Sequence, residues 1–318
     1  MRKIALSIVV LVFSLIGLSQ EEIRVTTWNI EHFGSEGRGL GGIGQGNLDF
    51  RTSDQINDLA AFIRDTLKSD ILAVQEIALS KITDDKRKSN ALDALIEKLG
   101  PNWDYVLGTR GAEDLFGKEV HNMQNAFIFN TDKVRLIKAF SLDFINIKVK
   151  TNLFDRHPIV GYFEAKGENL TDFLVVNVHL KSGQDNDENH LAAMIMIEQN
   201  LRSYLKKHQV KESDIAIIGD FNDNPFDDRY MDLLYRYMEE KNYKDLVNEV
   251  VGATRMDDKL KSIIDHFLIN KGFKNEMVEN SFEKYFPTAD LADWRKTYSD
   301  HFPLSVNVKV KKDSDVDF

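Results

Sequence analysis

Ile215-Ala216-Ile217-Ile218-Gly219-Asp220-Phe221-Asn222 is a short run of branched apolar residues that stops at an aspartate and an asparagine. Too short for a helix and too apolar for a surface strand, it reads as a buried strand with polar groups at its end. The same form recurs along the chain. Val25-Thr26-Thr27-Trp28-Asn29-Ile30 delivers Asn29, Ile71-Leu72-Ala73-Val74-Gln75-Glu76 delivers Glu76, and Phe173–Leu180 delivers His179. Ile263-Ile264 delivers Asp265, and Tyr298-Ser299 delivers Asp300 and His301.

Working outward, further strand candidates are Tyr105–Gly108, Ala126–Asn130, Val134–Phe140, Ile159–Ala165 and Leu304–Val310, making about ten with Ile23–Ile30 and Ile263–Ile269. Amphipathic stretches predict helices over Asp54–Lys68 behind a cap at Ser53, Asn90–Leu99 behind Ser89, Glu188–Lys207 and Asp228–Lys241. Ile56, Leu59, Ala60, Ile63 and Leu67 share one face, read as core. Strands alternating with helices give an α/β core with the strands central and polar residues gathered at strand ends.

Composition narrows the chemistry. With 42% hydrophobic and 29% charged residues and five prolines in 318, the chain can bury a sizeable core. It has no cysteine, which excludes disulfides, thiolate zinc sites and cysteine nucleophiles. Arg2-Lys3, the apolar run Ile4–Leu18 and the small residues Gly17 and Ser19 read as an export signal spanning residues 1–19, cleaved before Gln20. The formal charge of −10 becomes −12 once Arg2 and Lys3 leave, so no diffuse basic surface can bind a polyanion and a metal would have to assist. No linker or repeat divides residues 20–310, which read as one domain, and residues 311–318 read as a frayed tail.

Three motif readings fail. Gly34–Gly46 holds seven of the eighteen glycines but lacks the Gly-Lys-Ser/Thr of a phosphate-cradling loop, so it reads as a surface loop. Asp155-Arg156-His157 with Gly219-Asp220-Phe221-Asn222-Asp223 imitates the opening of a calcineurin-like metallophosphoesterase, whose later His motifs do not follow, and the zinc helix His-Glu-X-X-His is absent. His32, His121, His157, His190, His208 and His266 read as structural.

Seven segments in order resemble the endonuclease/exonuclease/phosphatase superfamily of deoxyribonuclease-like, metal-dependent phosphodiesterases. They are Thr27-Trp28-Asn29-Ile30, Val74-Gln75-Glu76-Ile77, Arg156-His157-Pro158, Asn177-Val178-His179-Leu180, Gly219-Asp220-Phe221-Asn222, Ile264-Asp265-His266-Phe267 and Ser299-Asp300-His301-Phe302-Pro303. The resemblance implies a four-layer α/β sandwich, with two central, mostly antiparallel sheets flanked by helices. It implies that Glu76, with Asn29 and Asp300, holds a divalent cation. Mg²⁺ is expected, Mn²⁺ and Ca²⁺ being alternatives, and oxygen ligands suit a hard cation independently. It further implies that His301, paired with Asp265, deprotonates an attacking water, that Asp220 and Asn222 position that water and the phosphate, that His179 donates to a phosphoryl or leaving oxygen, and that Arg156 contacts the phosphate.

Within that superfamily the residues flanking Asn29 and His301 look most like secreted deoxyribonucleases, so the expected substrate is nucleic acid and the expected state a secreted monomer, not membrane-bound once mature. The inositol-phosphatase signature before Asp265 is missing, and Phe144-Ile145-Asn146-Ile147 is short for the docking hairpin of a sphingomyelinase, the nearest competitor. A catalytically dead binding module on the same fold would have lost a metal or base residue, and none is lost. Two departures concern His179 and the groove: Ile77-Ala78 stands where the deoxyribonucleases carry an Arg, and Thr109-Arg110 near the Glu that supports their first His. Lys181 and Arg110 are candidate phosphate contacts.

Overall fold

The computed structural model describes residues 21–34, 51–83, 86–108, 123–142, 153–168, 170–183, 187–224, 231–247, 252–257, 262–288 and 290–313. The export signal, most of the glycine-rich loop, Arg110 and the 144–147 segment lie outside them.

In chain order the elements are β1 (Glu22–Phe33), α1 (Ser53–Ala61), β2 (Ile71–Ala78), β3 (Lys81–Thr83), β4 (Lys86–Lys88), α2 (Asn90–Leu99), β5 (Trp103–Leu107), β6 (Met123–Asn130) and β7 (Val134–Ser141). Then follow β8 (Ile159–Ala165), β9 (Asp172–His179), α3 (Asp187–Lys207), β10 (Ile215–Asp220), α4 (Met231–Glu240), β11 (Tyr243–Asp245), β12 (Asp265–Asn270), α5 (Lys271–Glu276), β13 (Glu283–Lys284), α6 (Leu291–Thr297) and β14 (Leu304–Lys309).

Two six-stranded sheets form, ordered β13-β14-β1-β2-β6-β5 and β11-β12-β10-β9-β8-β7. Each is antiparallel except for one central parallel pair, β1 with β2 and β9 with β10. Their inner faces meet in a core that includes Val25, Ala73, Phe127, Phe163, Val175 and Ile218. The outer face of the first sheet packs on α1 and α2 through Trp28, Leu72, Leu59 and Leu95, and that of the second on α3 and α4 through Val176, Ile217, Ile197 and Leu234. These are the four expected layers.

Side-chain alternation along a strand makes the site's position follow from the core. Val25 faces inward, so Asn29 does; Val175 puts His179 inward, Ile218 puts Asp220 inward, and Phe267 puts Asp265 inward. Four polar residues therefore finish the inner face at one end of the sandwich. Just below them the sheets are tied by amides: Gln75 Nε2 donates to Asn177 Oδ1 at 2.7 Å, and Asn177 Nδ2 donates to the carbonyls of Val74 and Ala126.

The structure corrects several expected boundaries. The first helix is capped by Thr52, not Ser53: Thr52 Oγ1 accepts from Gln55 N and Gln55 Oε1 accepts from Thr52 N. The Thr-X-X-Gln spacing carries that signal. Helix α1 stops at Ala61 and a π-helical turn over Phe62–Leu67 continues it. Thr52→Ala is expected to cost about 1 kcal/mol and Ser53→Ala only tenths, measured by urea unfolding; equal costs would contradict the cap. At the other end, Leu170 bridges Lys312 and Thr171 N donates to Lys311 O, so the chain is held two residues into the stretch read as frayed.

Candidate active site

Glu76 breaks the alternation that places its neighbours. Its parity would send it to the helical side with Val74, but it has a left-handed φ of 63°, and the β2–β6 register shifts between Val74 and Ile77. This bulge turns the carboxylate to the strand end. There Glu76 Oε1 accepts from Asn29 Nδ2 at 3.1 Å, and Oε2 from the backbone N–H of His32 at 2.9 Å, with His32 Nε2 3.5 Å away. Asn29 Nδ2 also donates to Asp220 Oδ2 at 3.0 Å, while Asn29 Oδ1 accepts from Glu31 N. The amide thus joins two carboxylates from different sheets and turns its own oxygen away from them.

Asp220 depends on a glycine before it. Gly219 has φ 142°, and a Cβ there would lie 2.0 Å from the carbonyl oxygen of Val178, so only glycine lets β10 and β9 approach this closely. Asn222, also left-handed at φ 51°, donates its N–H to Asp220 Oδ1 at 2.8 Å and its Nδ2 to Leu180 O at 3.0 Å. It buttresses the loop after Asp220.

Asp300 and His301 arrive on the segment between α6 and β14. Ser299 Oγ donates to Asn29 O at 2.6 Å and accepts from His301 N, and Trp28 Nε1 donates to His301 O at 3.1 Å. Asp265 lies 2.8 and 3.1 Å from His301 Nδ1, and Thr254 Oγ1 accepts from Asp265 N. His301 Nε2 is left facing Asp220 Oδ2 at 3.8 Å and Asp300 Oδ1 at 3.6 Å.

The ring closes through His179. Its Nε2 is 3.5 Å from Asp220 Oδ2, 3.9 Å from Glu76 Oε1 and 3.3 Å from Arg156 Nη1. An arginine only donates, so Nε2 accepts and the proton sits on Nδ1, which has no hydrogen-bond partner among the described residues. No described carboxylate reaches this nitrogen, and the 109–122 segment, where the resemblance puts a supporting Glu, lies outside the described residues.

All nine residues expected at the site come together; Lys181 instead lies 3.6 Å from Asp155. Sequence reasoning missed four others. Arg295 Nη2 pairs with Glu31 at 2.5 Å, Glu31 Oε2 accepts from Asp300 N, and Arg255 Nε donates to Asp300 Oδ2 at 3.0 Å. His32, read as structural, stands against Glu76. The arginines and Glu31 belong to no strand-end pattern; the adjacency of Glu31 and His32 to Asn29 was the available signal.

The innermost groups are nearly sealed from solvent, His179, Asp220, Asp265 and His301 being at most 3% exposed, while Glu76, Asn222, His32 and the three arginines are partly buried. Burial and Asp265 push Asp220 up to about 6. Burial also opposes ionisation of Glu76 and Asp300, but it is outweighed by His32 and Arg156 for the first and by His301, Arg255 and Arg295 for the second, so both stay below the usual carboxylate range. Burial would lower His301, yet Asp265, Asp300 and Asp220 raise it to about 10. Burial and Arg156 hold His179 well below its ordinary value, hence neutral.

The donor set fits a hard divalent cation. Three acidic side chains, Glu76, Asp220 and Asp300, converge in the ring, the last two buried, and burial with Asp265 beside it pushes Asp220 toward protonation. Asp220, Asp265 and His301 also bring ligand atoms within 4.8 Å of one another, but Asp265 is committed to His301 Nδ1, leaving Asp220 the available oxygen of that group.

The family model for the endonuclease/exonuclease/phosphatase family matches residues 26–301. The chain belongs to this family. Solved structures agree on the fold: the Bacteroides vulgatus family protein (18% identity, TM-score 0.60, 92% of this chain and 100% of that one), the human Nocturnin catalytic domain (15%, 0.57, 91% and 95%) and humanized D. rerio TDP2 (13%, 0.58, 91% and 99%). Among curated proteins, none matches the sequence. The family match runs from Thr26 to His301 and so takes in every residue placed at the site.

Proposed function

We propose that this family member is an exported, divalent-metal-dependent phosphodiesterase acting on nucleic acid. One observation carries the reading: His301, oriented by Asp265 at 2.8 Å, points its free Nε2 into a ring formed by Glu76, Asp220 and Asp300. A cation held by Glu76 and Asp300, with Asp220 alongside, would supply Lewis-acid neutralisation of phosphate charge. Asn29 serves that set by fixing Glu76 and Asp220, since its oxygen is taken by Glu31. His301 would take the proton of a water aligned by Asp220, and the Asp265 carboxylate would stabilise the resulting imidazolium. Arg156 presents its guanidinium beside His179 and would exchange that contact for a phosphoryl oxygen. The human Nocturnin catalytic domain, which shares this fold, was solved with a bound sulfate, an anion of phosphate's shape.

Purified Gln20–Phe318 should nick plasmid with Mg²⁺ or Mn²⁺ and lose all activity in EDTA. Turnover of sphingomyelin with no cleavage of plasmid or RNA would move the protein to the lipid branch. Activity indifferent to EDTA would end the metal reading.

Arg255 spends its Nε on Asp300 and leaves 42% of its side chain exposed, which places a cation at the mouth of an acidic cleft. Arg255→Gln is expected to raise KM for a phosphodiester about tenfold, the scale of one charge-assisted hydrogen bond, with a smaller change in kcat. Steady-state kinetics check this, and a fall confined to kcat would assign Arg255 to the holding of Asp300 instead.

A further inference from the structure

We propose that the end of the molecule opposite the carboxylate ring binds an anionic amphiphile, an aliphatic chain bearing a carboxylate head. A cavity of about 780 Å³ opens there between the last turns of α3, the segment entering β10, the α4–β11 turn and the β12–α5 junction. That size falls within the roughly 300–1,000 Å³ of small-molecule sites. Its wall is apolar: Leu201, Leu205, Val210, Ile215 and Tyr243 line it, and all belong to the outer core of the second sheet. It is separate from the catalytic centre, because β10 runs from Ile215 in the cavity to Asp220 in the ring, about 17 Å of strand.

The rim carries the opposite character to the chain. On a protein of net charge −10, the exposed lysines Lys206, Lys211, Lys241 and Lys271 converge on this one opening from four different parts of the fold. Lys206 lies in the last turn of α3 and Lys241 just past the end of α4, where a cation is favoured by the helix dipole. Lys211 belongs to no helix and Lys271 opens α5, where the dipole disfavours a cation, so helix electrostatics does not account for the set. The two acids of the lining face protein donors: Glu198 accepts from Tyr237 Oη at 2.9 Å, and Glu212 Oε1 from the backbone N–H groups of Ser213, at 2.6 Å, and Asp214. Apolar wall and cationic rim together match an aliphatic tail with an anionic head, and a fully polar anion would leave the wall unused.

The test uses the full exported chain and sodium laurate below its micelle concentration, followed by isothermal titration calorimetry, with dodecyl maltoside, dodecyltrimethylammonium and acetate as comparison probes. Laurate should saturate one site, bind at least tenfold tighter than the neutral or cationic dodecyl probe, and weaken with added salt, while acetate shows no saturation. Lys211→Glu with Lys271→Glu, both exposed, should reduce laurate affinity at least tenfold with an unchanged thermal unfolding midpoint, and Val210→Trp should block the cavity. Absent laurate saturation, equal affinity for the maltoside, or indifference to the charge reversal would each overturn the proposal.

Discussion

His301→Ala is expected to lower phosphodiester turnover by roughly 10²–10⁴-fold, the usual scale for a positioned general base, while divalent-cation affinity stays within a few-fold. The separation follows from geometry, since His301 Nδ1 belongs to Asp265 and its Nε2 stands 3.6 Å or more from the nearest ring oxygens. Asp265→Asn should act in the same direction, and the double variant should lose much less than the product of the two, because the pair works as one unit. The pH dependence has a definite sign. His301 is held protonated up to about 10 by Asp265, Asp300 and Asp220, so without a cation the base form appears only in alkali. Filling the ring with Mg²⁺ offsets those carboxylates, and the alkaline-rising limb of activity should move to lower pH as Mg²⁺ increases. For folding, a pKa raised from 6.5 to about 10 gives stability fully present below 6.5 and lost as pH rises through 10. The difference in unfolding midpoint between the metal-free wild type and His301→Ala should therefore shrink across that window. Near-normal turnover in His301→Ala at saturating Mg²⁺ would show that another group accepts the proton.

Glu76→Gln is expected to weaken Mg²⁺ by more than the 10–100-fold that loss of an outer-shell partner costs, and to be partly rescued by raising Mg²⁺. Glutamine keeps one acceptor oxygen, enough for either the Asn29 amide or the His32 N–H, and it adds no new constraint at φ 63°, so the bulge should survive. The sign with pH is the reverse of that for His301. Glu76 titrates below its ordinary value in the folded protein, so its contribution to folding is present above pH 4.5 and is lost on acidification through its folded pKa. Calorimetric titration of Mg²⁺ into the metal-free variant decides the matter. Unchanged affinity with lost activity would move the cation to Asp220 and Asp300.

The strand-end residues were legible because alternation and strand termination are local properties. Val25 and Asn29, or Ile218 and Asp220, carry both the facing and the end of the strand within a few residues. Glu76 was legible as a residue but not as a conformation, since no alternation rule places a left-handed glutamate. The strands of two or three residues, β3, β4, β11 and β13, and the helices of six or seven, α5 and α6, are too short to show a period of their own kind. Residues 123–125 open β6 with Gln and Asn, buried though polar, so the apolar run began only at Ala126. Arg295 and Arg255 reach Asp300 from positions 5 and 45 residues before it, a contact that only the folded chain makes.

Strand β14 pairs with β1 in register from Glu22 with Lys309 to Thr27 with Leu304, so the first strand of the described residues completes its pairing with the last of them. On the ribosome, β1 must wait for β14 to be made, some tens of seconds at about 5–20 residues per second. Asp300 and His301 lie just ahead of β14 and are delivered with it. A nascent or prematurely terminated chain therefore lacks Asp300 and His301, whatever else has folded. On the function proposed above, the site would stay incomplete beside the ribosome's own RNA until β14 closes the sheet.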